Sequence, residues 1–229
     1  MSNKEFGDVN TYYIKYYRKI IGKNSTGVLS LLWKYPHKLM EKPFKSNKGF
    51  SVLELGYGEG EHFQFVQKDF EEYVALDRDE ERLMMISNKA DYRLLKKVGD
   101  AQLLDFPDET FDRVIATCLL AHLDDPEHAL EEWCRVLKKG GSLSVYIPCD
   151  PGISLRIFRK FITKPKAEKH GFAGYNLYIA RDHKNDAHRL LLFVKMLRGS
   201  YSVKIAYRPF AFVPSWYLNL FCLVRITKR

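Results

Sequence analysis

The sequence has no C-x-x-C pair. Its four cysteines, Cys118, Cys134, Cys149 and Cys222, lie far apart. That spacing argues against structural zinc and against a disulfide framework, and no metal site is expected. It suits a reducing compartment, so the expected location is cytoplasmic. No 18-residue apolar run occurs, which excludes a spanning helix. Residues 1–10 are polar and are read as lacking a signal peptide. Internal repeats and low-complexity tracts are missing as well. With 46% hydrophobic and 14% aromatic residues, disordered and collagen-like chains are excluded.

Acidic residues are scarce at both ends. Residues 1–48 carry ten Lys/Arg and three Asp/Glu, and residues 151–229 carry sixteen and three. Residues 49–150 reverse the balance, with eleven Lys/Arg and twenty-two Asp/Glu. The net +9 is therefore two basic flanks around an acidic centre. Solvated lysine faces are the plain explanation. The sharper one is that both flanks meet an anionic partner.

The 229 residues suit one α/β core with an appendage. A single domain with three regions is expected: a helical lid over 1–48, a core over 49–150, and a basic substrate lid plus two final strands over 151–229. Apolar runs predict strands at 50–55, 73–77, 111–117 and 142–147, and two more at 201–206 and 217–227. Helices are predicted at 62–70, 79–90 and 126–137, with Asp79 as an N-cap and Pro126 opening the last. Residues 8–40 read as mostly helical. Alternating strands and helices imply a parallel sheet covered on both faces.

The strongest motif is Glu54-Leu55-Gly56-Tyr57-Gly58-Glu59-Gly60, between a strand and a helix. Glycines there let the backbone turn with positive φ and approach a ligand closely. The dinucleotide fingerprint is G-x-G-x-x-G, whereas this loop is G-x-G-x-G with Glu54, Glu59 and Glu61 around it. Acids there repel a pyrophosphate and suit a cationic or zwitterionic ligand. Asp77 ends the second strand, where a carboxylate can accept from two ribose hydroxyls.

These residues resemble the class I S-adenosylmethionine-dependent methyltransferases, and among them the small-molecule methyltransferases. The resemblance covers about residues 49–150. It rests on the glycine loop, Asp77, Gly99-Asp100-Ala101, Phe106-Pro107-Asp108-Glu109-Thr110-Phe111-Asp112, His122-Leu123-Asp124-Asp125-Pro126 and Leu137-Lys138-Lys139-Gly140-Gly141. It implies a Rossmann-like α/β sheet of seven strands, six parallel and one antiparallel, with helices on both faces and a helical lid. It implies S-adenosylmethionine as cofactor, held by Glu54, Gly56, Tyr57, Gly58, Gly60, Asp77, Arg78, Asp100, Ala101, Cys118 and Leu119. Gly56 to Gly60 would approach its methionine part and Glu54 its ammonium. Asp77 would take the ribose, with Arg78, Asp100 and Ala101 at the adenine and Cys118 and Leu119 near the sulfonium.

Methyl transfer asks the protein to align a nucleophile and exclude water. A hydroxyl acceptor also needs a base. His122, after the fourth strand, and Asp150, after the fifth, stand at the carboxyl edge where α/β proteins bind ligands. His122 can equally be a packing residue, and Asp150, before Pro151-Gly152, a turn residue. His62 is expected to contact the cofactor loop.

Nucleic-acid amine methyltransferases carry an Asn/Asp-Pro-Pro-aromatic segment after the fourth strand. Here it reads Thr117-Cys118-Leu119-Leu120-Ala121-His122, so no nucleic-acid partner is expected. Residues 150–221 are similar to methyltransferases of bacterial surface-polysaccharide biosynthesis, on Asp150-Pro151-Gly152, Arg156 to Lys160, Gly171-Phe172 and Pro214 to Phe221. That similarity implies O-methylation of a small anionic acceptor, a sugar or phosphate-bearing precursor. Tyr13, Tyr17, Arg156, Arg159, Lys160, His170 and His183 are the candidate substrate residues, with Lys164, Lys166 and His188 beside them. An exposed basic helix face explains any single arginine or lysine of the set as well, packing onto the sheet explains the tyrosines, and a surface or packing position explains the histidines. Two alternatives stand. The apolar run 210–216 among basic residues leaves peripheral membrane contact open, with a lipid, quinone or amine acceptor. A cofactor-binding interaction protein without catalysis is the other. Either a monomer or a homodimer fits the sequence.

Overall fold

The computed structural model describes residues 28–84, 93–169, 175 and 184–229. The candidate residues Tyr13, Tyr17, His170 and His183 lie outside the described residues. So do the helical reading of 8–27 and residues 85–90 of the predicted helix 79–90.

Seven strands form one sheet: β1 (Ser51–Leu55), β2 (Glu72–Asp77), β3 (Leu94–Val98), β4 (Phe111–Thr117), β5 (Leu137–Pro148), β6 (Tyr201–Arg208) and β7 (Phe221–Lys228). Their order is β3-β2-β1-β4-β5-β7-β6. Neighbours from β3 to β5 run parallel, and β7 is antiparallel to both β5 and β6. Six strands thus share one direction and one opposes them, as the resemblance implied. β1 lies between β2 and β4, and the chain crosses back from β3 to β4, so ligands are expected at the carboxyl ends of β1 and β4, where the order reverses.

Alternation along the central strands makes two cores. Leu53, Leu55, Val114 and Ala116 face one layer with Trp133, Leu190 and Leu191. Val52, Tyr73, Ala75 and Ile115 face the other with Met40, Tyr57, Phe63 and Phe70. The first layer is covered by α3 (Pro126–Arg135) and α6 (Ala187–Met196), the second by α1 (Val28–Glu41). Helix α3 begins where sequence chemistry says it should. Pro126 occupies the first turn and the Asp125 carboxylate accepts from His128 N at 3.0 Å. Its Ala129, Leu130, Trp133 and Cys134 are buried, and Trp133 donates to the Ala101 carbonyl at 2.7 Å. In α2 (Glu80–Met84), Asp79 accepts from Arg82 N at 3.2 Å, the expected cap.

Several sequence expectations are corrected. The helix predicted over 62–70 is a single turn, Phe63–Phe65, after which Val66 is extended at φ −72°, ψ 137°. Phe63, Val66 and Phe70 are still buried. The helical spacing was real, but Asp69 accepts from Asn47 N at 2.8 Å and Asn47 donates to Gln67 O at 3.2 Å, which pulls the chain straight. Residues 138–141 belong to β5 instead of stopping a helix, because α3 already ends at Arg135. The last strand starts at Phe221, four residues later than expected, since Asn219 shapes residues 210–219 into a loop. Strand β3 (Leu-Leu-Lys-Lys-Val) carried no strand signal. It is the sheet edge, where exposed Leu95 and Val98 flank lysines that discourage further pairing.

Candidate cofactor and acceptor site

The glycine loop leaves β1 and crosses the end of β2. Gly56, Gly58 and Gly60 all have positive φ, 64°, 55° and 75°. Only glycine takes these values freely. Space adds a second demand. A Cβ on Gly60 would stand 2.7 Å from the Tyr57 hydroxyl, and one on Gly56 would stand 3.0 Å from Leu119. Tyr57 N donates to Leu76 O at 3.1 Å, and Gly58 N donates to the Asp77 carboxylate at 2.8 Å. Asp77 also accepts from Asp79 N at 3.0 Å. Loop, β2 and Asp77 are therefore one rigid unit. Each carboxylate oxygen of Asp77 keeps acceptor capacity after these bonds. The Tyr57 hydroxyl is buried without a hydrogen-bond partner among the described residues.

The other cofactor candidates fall around this unit. Cys118 follows β4 in the left-handed region, at φ 55°, and its N donates to Tyr146 O at 3.1 Å. Leu119 touches Gly56. Arg78 and Asp100 are exposed beyond the ends of β2 and β3. Ala101 is buried with its carbonyl already taken by Trp133. Glu54 lies beneath the loop. It is fully buried and accepts a 2.5 Å hydrogen bond from the Tyr73 hydroxyl. Burial pushes its carboxyl up to about 8, so near pH 7 it holds a proton.

At the acceptor edge, Asp150 and Arg159 form an ion pair at 2.6 Å, both largely buried. A proposed base and a proposed substrate cation are thus each other's partner. Arg159 lies in a π turn (Arg159–Thr163) between α4 (Ile153–Phe158) and α5 (Lys164–Lys169). The same turn brings Thr163 to the Tyr175 hydroxyl at 2.5 Å. Tyr146 faces this region, and burial holds its hydroxyl well above the usual range, with Cys118 adding to it. Arg156, Lys160 and His188 point outward, the last with its ring 5.9 Å from Trp216. Lys164 pairs with Glu168 at 3.7 Å. His122 closes the one-turn helix Leu120–His122. Lys184 N and Asn185 N both donate to Ala121 O, at 2.9 and 3.1 Å, so the basic segment fixes the backbone beside His122.

A buried polar cluster escaped the sequence reading. His37 and Glu41 stand one turn apart on α1 and meet His62 and Arg113. His62 Nε2 lies 2.8 Å from Glu41 Oε1, and Arg113 grips both oxygens of Glu41. Arg113 also donates to Asn47 at 3.2 Å and lies 3.6 Å over the Phe44 ring. Burial pushes the Glu41 carboxyl up, but the bonds from His62 and Arg113 outweigh it and bring it down to about 2. Burial and then His62 bring His37 down to about 3, and burial lowers His62 as well. Both rings are therefore neutral. Glu41 takes the Nε2 proton of His62, so His62 Nδ1 accepts from His37 Nδ1 at 2.9 Å. His62 serves this clamp. The signal that could have found it was His37 and Glu41, four apart and so on one face of the helix.

Residues 53–145 match the family model described as a methyltransferase domain. Among curated relatives, the phosphatidylethanolamine N-methyltransferase of Cereibacter sphaeroides is 34% identical over 103 residues, covering 43% of this chain and 50% of that protein. The ubiquinone/menaquinone biosynthesis C-methyltransferase UbiE of Pasteurella multocida (strain Pm70) is 31% identical over 140 residues, covering 57% of this chain and 48% of that protein. The chain thus spans about half the length of these curated relatives. Among solved structures, the PH0226 protein of Pyrococcus horikoshii OT3 superposes with a TM-score of 0.65 at 20% identity, covering 96% of this chain and 99% of that one. The fold is the Rossmann-like methyltransferase fold.

Proposed function

We propose that this chain transfers a methyl group from S-adenosylmethionine to a small amphiphilic acceptor. The observation that carries the donor half is the loop Gly56–Gly60, three left-handed glycines locked to the Asp77 carboxylate. The residues fit the cofactor. Asp77 has acceptor sites left for ribose hydroxyls, and the buried Tyr57 hydroxyl is a donor available beside Gly60. When bound, S-adenosylmethionine supplies an electrophilic methyl group on a cationic sulfur. The protein's part is to hold the acceptor's lone pair in line with that carbon and keep water out. Leu119 stands by Gly56, Cys118 N donates to Tyr146 O, and Arg159 pairs with Asp150, so these groups are the candidates to border the acceptor. For a hydroxyl acceptor His122 is the base candidate. Asp150, already bound to Arg159, acts as the anchor of the π turn.

An amphiphilic acceptor is supported by two things. Among the described residues of the substrate set, the largely buried cation, Arg159, is neutralised by Asp150. The two relatives are named for a phospholipid and for quinones. A second reading, an anionic precursor of surface polysaccharide, draws its support from Arg159 if Asp150 shares it with a substrate phosphate. Calorimetry with S-adenosylhomocysteine tests the donor half; a binding heat abolished by Asp77→Ala is expected, and no binding overturns it. Turnover with labelled donor on phosphatidylethanolamine, hydroquinones and nucleotide sugars tests the acceptor. Activity confined to nucleotide sugars overturns the amphiphile in favour of the second reading.

A further inference from the structure

The outer side of α4 and the π turn exposes Ile153, Ile157, Phe161 and Ile162, the phenylalanine by 66%. Arg156 and Lys160, also exposed, stand among them. Next to this helical run, loop 209–220 exposes Phe210 and, by 84%, Phe212. The two parts are joined, since Ser154 Oγ donates to Leu218 O at 2.9 Å. Gly152 packs so closely that a Cβ would stand 2.9 Å from Trp216 O.

The loop is built to present these rings. Asn219 is fully buried, accepts from Phe210 N at 2.8 Å, and donates to Val213 O and Ser215 O at 2.8 and 2.9 Å. A buried, fully bonded side chain thus holds a turn whose aromatic groups face outward. A contiguous apolar patch of this kind marks a contact surface. Its charge identifies the contact. From Pro151 to Ala167 there are five Lys/Arg and no acid, and from Ala187 to Arg229 there is no acid.

We propose that this face docks on an anionic bilayer surface. Apolar and basic groups interleaved on one side of a helix suit the boundary between headgroups and acyl chains. There the rings enter the apolar layer while Arg156 and Lys160 meet lipid phosphates. A second copy of the chain fits worse, because two faces of one sign repel. The face lies on the element that carries Arg159, so docking sets the acceptor edge beside the bilayer.

Flotation with phosphatidylcholine vesicles, with and without phosphatidylglycerol, tests it. The full chain is expected to bind the anionic vesicles about tenfold or more tightly than the neutral ones, and less tightly at high salt. The double variant Phe161→Ser with Phe212→Ser is expected to lose about tenfold in that binding. It should keep its melting temperature and its affinity for S-adenosylhomocysteine. Lys160→Glu should erode the preference for anionic lipid. No binding to either vesicle, or binding unchanged by the double variant, overturns the proposal. So does ultracentrifugation that shows a dimer broken by the double variant without vesicle binding. Absence of S-adenosylhomocysteine binding would overturn the methyltransferase reading and leave the vesicle result intact.

Discussion

Gly60 and Gly49 offer a comparison at the scale of single residues. Both sit at positive φ, 75° and 74°, but only at Gly60 would a Cβ meet anything, the Tyr57 hydroxyl at 2.7 Å. Gly49→Ala is expected to cost about 1 kcal/mol of stability from backbone strain alone. Gly60→Ala must also displace a buried ring, so chemical denaturation should show about twice that loss. Calorimetry should show a marked weakening of S-adenosylhomocysteine for Gly60→Ala only. Glu54 gives a second contrast. In the folded chain it releases its proton at about 8, against an ordinary value of 4.5. Folding therefore takes up a proton between those pH values, and stability falls as pH rises through that window. Glu54→Gln should remove a slope worth up to about 5 kcal/mol, read from urea midpoints at successive pH values.

At the scale of elements, α1 is held to the sheet by charge as well as by Met40. Arg113→Ala would leave Glu41 buried without its guanidinium, and a loss of about 3–5 kcal/mol is expected in denaturant unfolding. Arg113→Ala with Glu41→Ala should lose less than the two single changes added together. The elements also separate what was legible in the sequence from what was not. Strands β1, β2 and β4 are buried on both faces, so their apolar runs announced them, and the glycine loop announced itself through backbone demands that few residues meet. Strand β3 did not, because an exposed edge needs no apolar pattern. The turn at Phe63–Phe65 did not, because Asn47 and Asp69, twenty-two residues apart, override a local helical spacing. The Asp150–Arg159 pair joined two residues that local chemistry had assigned to different tasks. Arg113 looked like an ordinary strand position until α1 was seen above it.

For the whole molecule, the shifted groups combine into one pH profile. Neutral burial of His37, down to about 3, and of His62 makes the folded chain lose stability as pH falls below about 6.5, where the unfolded histidines gain protons. Glu54 acts the other way, lowering stability as pH rises toward 8. Two histidines outweigh one carboxyl below about 6.5 and none opposes it above. A stability maximum near pH 6.5 is expected, and thermal melts across pH 4 to 9 check it. The antiparallel strand carries a separate consequence, for synthesis. Strand β5 pairs on one side with β4, close in sequence, and on the other with β7, which begins at Phe221. On the ribosome the half-sheet β3-β2-β1-β4-β5 can assemble early, yet one margin of β5 stays unzipped while residues 149–220 are still being added. During that interval the nascent chain offers a bare, apolar strand to any neighbour, and release of β7 is the event that closes it.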